Sequence, residues 1–208
     1  AELEGVVYRI IPEALTAAAE FDQGNLDIMG IPGAEYRRYT SELPERNWVR
    51  ERVGLNIYYL GFNCEKYPFS DPRFRQACNY GIDREKIIKV LLDGRAEIAS
   101  GPVPPALLPP PPEPRYSYQP QKARKLLRQL NLEFPVRLKM LFKADREVLS
   151  VAEVIQDYLK RIGIELILEQ REWSWFKEAV NKGEFDIFYL SWWGDYPHAR
   201  NFLFPTFA

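Results

Sequence analysis

Residues Ser191-Trp192-Trp193-Gly194-Asp195-Tyr196-Pro197 carry the densest set of groups able to hold a solute. A carboxylate set among large aromatic rings suits the capture of a small cationic group, because ring faces attract positive charge and the acid supplies the counterion. The run before them, Gly183-Glu184-Phe185-Asp186-Ile187-Phe188-Tyr189-Leu190, opens on a turn glycine and continues at strand length, so the motif sits at a strand's end. A second reading stands beside the first. In it Asp195 caps the next short helix and the tryptophans are ordinary core. Asp27 and Asp186 each follow a turn glycine closely and are assigned to turn and strand-entry hydrogen bonding.

Composition narrows the chemistry. The 28 lysines and arginines against 29 acids leave a net charge of −1, with no basic block, so neither nucleic acid nor an anionic membrane is an expected partner. A single histidine, His198, and two cysteines, Cys64 and Cys78, fit no metal spacing. Metal sites, cofactors and His-dependent nucleophiles are therefore not expected. Cys64 and Cys78 either bond in an oxidising compartment or remain buried thiols. No apolar run is long enough to span a bilayer, and no secretory signal pattern opens the sequence. The chain is then cytoplasmic, or a mature or trimmed form of an exported protein.

The elements that position the motif follow from periodicity. Residues 6–11 and 26–29 are expected strands around a helix over residues 12–23, with a short helix at 32–39. Residues 54–63 form a strand. Asp71-Pro72 caps one helix and Asp83 a second, while Arg75 and Arg84 are expected to hold carbonyls or ion pairs. Residues 101–120 are proline-rich and form a surface arm tethered by Tyr116 and Tyr118. Pro120 starts a helix, residues 136–142 alternate as a strand, and Ser150 with Glu153 forms a capping box for an amphipathic helix ended by Gly163. Residues 164–168 are the next strand. Alternating strands and helices specify an α/β layer with a largely parallel sheet, whose ligands sit beyond the carboxyl ends of the strands. Residues 6–28 and 165–187 share one pattern, strand, helix, then Gly-x-apolar-Asp-Ile, which suggests one unit used twice.

From residue 54 onward, several stretches occur in a familiar order: Tyr58-Tyr59-Leu60-Gly61-Phe62-Asn63; Asp71-Pro72-Arg73-Phe74-Arg75-Gln76-Ala77 running on to Gly81-Ile82-Asp83-Arg84; Tyr116-Ser117-Tyr118-Gln119-Pro120; residues 152–163; Glu172-Trp173; and residues 183–187 and 192–196. In these the chain resembles the extracellular solute-binding proteins of peptide and nickel ABC importers, the family 5 class. The resemblance implies a periplasmic-binding-protein-like (type II) lobe, a largely parallel sheet flanked by helices. Residues 1–50 would belong to the first lobe of longer relatives and residues 51–208 to the second, ligand-binding lobe, cut short at its end. It further implies a binding protein and not an enzyme, periplasmic or extracellular, that closes on a peptide or similar small solute and hands it to a membrane permease.

On the same resemblance, Asp195 pairs with a ligand's α-ammonium and Trp192 and Trp173 line the cavity, with Trp193 and Tyr196 as neighbours. Ser191 to Gly194 are placed to offer main-chain bonds to an extended ligand. Two departures stand out. Gln119 replaces the family's usual aspartate cap, and Val180 and Tyr189 supply no cation for a peptide carboxylate. Lys177, Lys182 and Arg200 lie near in sequence but are expected to be solvated. Two other functions compete with this one. One is a signalling or chaperone-like module of the same fold. The other is a hydrolase using Asp195 or Asp186, against which stands the lack of a paired-carboxylate motif, a nucleophile elbow or a phosphate-cradling loop.

Overall fold

The computed structural model describes residues 3–42, 49–109 and 115–207, and the chain divides into two units, Ala1–Val53 and Gly54–Ala208. In the first unit, helix α1 (Ala14–Asp22) is tied to the turns that follow it. The buried Tyr39 donates its hydroxyl to the Asp22 carboxylate at 2.7 Å, and Arg38 bridges Asp22 at 2.7 Å and Glu35 at 3.0 Å. These hydrogen bonds, Tyr39's first, hold the Asp22 carboxyl below the usual range. Where a short helix is expected at 32–39, the chain makes tight turns at Gly33–Glu35 and wide ones at Arg38–Glu42.

The strands expected at 6–11 and 26–29 do not form. These residues are irregular or extended, with Val7, Tyr8, Ile10 and Ile28 exposed. A strand exists only with a neighbour to take its N–H and C=O groups, and no described residue of this unit runs alongside. The pattern shared by 6–28 and 165–187 therefore yields a lone helix in the first case and a full strand–helix–strand in the second.

The second unit is built on β1 (Asn56–Phe62), β2 (Val136–Lys143), β3 (Ile164–Arg171) and β4 (Ile187–Trp193), in the order β1-β4-β2-β3. Strands β2, β3 and β4 are parallel, and β1 runs antiparallel to β4. The expected largely parallel layer is thus present. Alternation along each strand sorts side chains between two faces. One face, carrying Leu60, Phe62, Leu138, Met140, Phe142, Ile164, Leu166, Ile187 and Tyr189, packs on α2 (Pro72–Gly81), α4 (Pro120–Leu127) and α5 (Arg146–Lys160) to form the main core. The other face carries Ile57, Tyr59, Phe188 and Trp192. Over it lie α6 (Trp173–Asn181), through Phe176, and α7 (Arg200–Phe207), through Phe202.

Caps set the helix starts. Asp71 accepts from the Arg73 amide, and Asp83 accepts from the Lys86 amide to start α3 (Arg84–Lys86), which widens into Ile87–Leu91. The expected Ser150–Glu153 box does not cap α5. Asp145 takes the amides of Glu147 and Val148, so the helix begins a turn earlier, and Ser150 donates back to the Arg146 carbonyl. Arg75 and Arg84 donate to the carbonyls of Phe69 and Tyr116, as expected. Tyr116 and Tyr118 tether the proline-rich arm by meeting Tyr80 and Tyr158 edge-on, while residues 110–114 lie outside the described residues. Cys64 is exposed and Cys78 buried, both free. Burial pushes the Cys78 thiol up to about 12, so it is an inert core group.

Asn63 joins the end of β1 to the entry of β4. Its buried side chain donates to the Gly183 carbonyl at 3.1 Å and the Phe185 carbonyl at 3.4 Å, and its backbone amide donates to Asp186 at 3.1 Å. Removing the amide leaves two carbonyls without this donor, so Asn63→Ala should cost about 1–3 kcal/mol by chemical denaturation. A loss under about 0.5 kcal/mol would mean that water replaces it without penalty. Asp186 serves at the same entry, its carboxylate accepting the Lys139 amide at 3.0 Å, which is the hydrogen-bonding role expected of it.

Candidate functional site

The site is set by where chain leaves the sheet. After β2 the chain enters α5, on the main-core face. After β4 it enters α7, whose Phe202 packs on the opposite face. Strands β2 and β4 are neighbours, so their outgoing connections part to opposite sides, the switch-point arrangement beyond whose strand ends the ligands of such sheets occupy a crevice. The β2–β4 register stops at Phe142↔Tyr189, whereas β1 follows β4 to Asn56↔Trp193. The last residues of β4 thus project past β2 into the crevice.

Register also assigns the main-chain groups. Asn63 and Gly194 donate to Asp186 and Leu55, so the even-numbered residues of β4 turn their amides and carbonyls to β1. Ser191 and Trp193 turn theirs the other way, where the register gives them no partner. Gly194 differs from the expectation in that its N–H is already committed, to the Leu55 carbonyl at 2.7 Å. A Cβ at Gly194 would lie 2.6 Å from the Phe202 ring and 3.3 Å from that carbonyl, so the position demands glycine for close packing.

The aromatic residues fall into two groups. Trp192 is half-buried beside Phe202 and Ile57, and its indole N–H donates to Asn201 at 3.2 Å. Asn201 is 4% exposed, and its Nδ2 finds no partner among the described residues. Trp173, at the first turn of α6, lies on this same side of the sheet. Glu172 caps the helix through the Ser174 amide, and the Trp173 ring stacks on Phe176 at 5.8 Å, which meets Phe188 edge-on. Trp193 is 64% exposed and alternates to the opposite face with Ser191, while Tyr196 is exposed in the turn beyond.

Asp195 is exposed, and among the described residues its carboxylate has no hydrogen bond or ion pair. It does not cap α7. His198 does so instead, its Nδ1 accepting the Arg200 amide at 3.1 Å. The three cations near in sequence are exposed, as expected, and make only surface contacts: Lys177 lies 5.3 Å over Trp173, Lys182 pairs with Glu178 at 2.6 Å, and Arg200 sits 5.4 Å over Phe204.

Three residues escaped the sequence reading. Tyr58, 52% exposed, lies opposite Ser191 and stacks on Tyr189 at 6.2 Å, forming a ring shelf on the Trp193 face. Burial, then the charges of Glu147 and Asp145, hold its phenol above the ordinary value. Trp175 on α6 is 71% exposed, and Asn201 orients Trp192. The aromatic-rich sequence of β1 signals Tyr58, but nothing local signals Asn201.

Comparison with known proteins decides the family. The model describing the middle part of the bacterial extracellular solute-binding proteins, family 5, matches residues 1–208. The chain belongs to this family. Among its relatives, heme-binding protein A of Haemophilus influenzae is 29% identical over 209 residues, which cover 98% of this chain and 38% of the relative. The dipeptide-binding protein of Escherichia coli is 27% identical over 218 residues, covering 100% of this chain and 40% of that protein. The periplasmic binding protein DppA of Helicobacter pylori, solved with the peptide STSA, superposes with a TM-score of 0.82 at 28% identity, over 94% of this chain and 38% of that one. The chain thus spans about 40% of the family members it matches, and its fold is that of a type II periplasmic binding protein.

Proposed function

We propose that this chain supplies the ligand-gripping part of a solute receptor for an ABC importer. The receptor takes peptides with a free amino terminus outside the cytoplasm and presents them to a permease. The observation that carries this reading is the Asp195 carboxylate just beyond β4, unpaired among the described residues, next to Ser191 and Trp193, whose main-chain groups the β2–β4 register leaves without a ladder partner. An ammonium seated on Asp195 makes charge-assisted hydrogen bonds of about 1.5–3 kcal/mol. An extended ligand can add strand-like bonds along Ser191 and Trp193, which do not depend on its side chains. Trp173, Trp192 and Tyr196 supply apolar walls. The crystallised Helicobacter relative holds a peptide, and the Escherichia relative is named for dipeptides. Asp195 favours a cationic terminus over a porphyrin, whose own carboxylates it would repel.

Lys177, Lys182 and Arg200 lie at the surface on Trp173, Glu178 and Phe204, which favours groups outside this lobe as partners of a peptide's carboxylate. Such a receptor binds without transforming its solute. Calorimetric titration of the full-length receptor with a tripeptide and its N-acetylated form tests the reading. Acetylation should weaken binding at least tenfold, since it removes the charge that Asp195 holds. Equal affinities would overturn the amine anchor.

A further inference from the structure

Helix α4 and its C-terminal turn present a cationic stripe away from the crevice residues. Gln121, Arg124, Lys125, Arg128 and Gln129 line one shallow groove, and their spacing of three, four, seven and eight positions is that of a single helix face. From residue 115 to residue 132 the sequence holds no acid, while Arg115, Lys122, Arg124, Lys125 and Arg128 all fall within it. Neutral groups hold two of these cations. Lys122 donates to the Tyr80 hydroxyl at 2.8 Å, and Arg124 donates to the Arg161 carbonyl at 2.8 Å. Among the described residues, none of Lys122, Arg124, Lys125 and Arg128 forms an ion pair, whereas Arg73, Arg137, Arg161 and Lys182 each face a carboxylate. The near-neutral composition conceals this stripe.

We propose that the stripe docks the protein onto an anionic phospholipid surface. The groove has no aromatic or large apolar lining residue. It therefore lacks both the buried anchor of a protein interface and the stacking platform of a single-stranded nucleic-acid site. The groove is lined by only three cations, Arg124, Lys125 and Arg128, so an extended polyanion finds few further partners along its length in a chain of net charge −1. A bilayer laid against this face instead acts within a screening length of about 8–10 Å, so it feels mainly the cations. Their long stems reach separate headgroup phosphates without any fixed geometry. Each cation near such a surface contributes about fivefold to partitioning. This surface does not depend on the peptide-binding reading.

Co-sedimentation of the chain with vesicles tests it, using mixed phosphatidylglycerol–phosphatidylcholine vesicles beside pure phosphatidylcholine. Binding should appear only on the mixed vesicles and vanish at high salt. The double variant Lys125→Gln/Arg128→Gln should lower it by roughly tenfold or more, while Lys86→Gln/Lys89→Gln, on exposed cations elsewhere, leaves it unchanged. Circular dichroism verifies that both variants keep the fold. Absence of binding to anionic vesicles, equal binding to both kinds, or an undiminished double variant would overturn the proposal. So would retention on an oligonucleotide or polyglutamate matrix in place of vesicles.

Discussion

If the proposed amine anchor holds, Asp195→Asn should weaken binding of free-amine peptides to the full-length protein by at least tenfold, about 1.4 kcal/mol. Asparagine keeps the size of the side chain and one acceptor oxygen, so the loss isolates charge. The environment sets its magnitude. An ion pair left in open solvent contributes about 0–1 kcal/mol, which is fivefold at most. The same pair at about 4 Å in a crevice of intermediate dielectric gains about 4 kcal/mol of attraction before desolvation is subtracted. Asp195 is solvent-exposed, so the tenfold threshold is crossed only where a bound peptide expels water from it. N-acetylated peptides should bind the two variants alike, giving a cycle whose coupling reports the ammonium–carboxylate pair alone. Since the carboxylate has no partner among the described residues, the melting temperature should stay unchanged. Full retention of free-amine affinity would show that the amine docks elsewhere.

What the sequence disclosed was what local chemistry controls. Asp71-Pro72 and Asp83 cap helices through amides two or three residues away, so residue order suffices to find them. The alternation of Val136, Leu138, Met140 and Phe142 is likewise the burial pattern of β2. Where two local signals compete, order alone misleads. Asp145 and Ser150 both satisfy cap rules, and the carboxylate prevails because it takes two amides at once. Partners remote in sequence are less legible still. Residues 6–11 have strand composition yet no ladder, and Tyr58 meets Ser191 only through the β1–β4 register. The α4 cations alternate with Ala123, Leu126 and Leu127, so they look dispersed until a helix gathers them on one side. For the stretch Ser191–Tyr196, the sequence pattern put the carboxylate and rings at a strand end, which is where β4 stops. It did not foretell that Trp192 and Trp193 face opposite ways or that the Gly194 amide is already used, since both follow from strand pairing.

The largest stability effect connected to the site is expected at Phe176. Its side chain is 1% exposed, stacks under Trp173 and meets Phe188 edge-on at 6.3 Å, and Phe188 in turn abuts Phe185 at 4.9 Å and Tyr59 at 5.9 Å. Phe188 also covers Gly61, where a Cβ would lie 2.1 Å from the ring, so a ring that moved toward the Phe176 void would open a new one over Gly61. A cavity that its walls cannot close carries the full penalty. Phe176→Ala should therefore cost about 3–5 kcal/mol, or roughly 8–15 °C in melting temperature for a unit of this size. Loss of the stacking partner also frees Trp173, so peptide affinity should fall even at temperatures where the variant is folded. Phe176→Leu fills most of the space without a ring face, and should recover most of the stability but less of the affinity. Equal recovery of both would show that Trp173 is placed by helix α6 itself and not by the aromatic column beneath it.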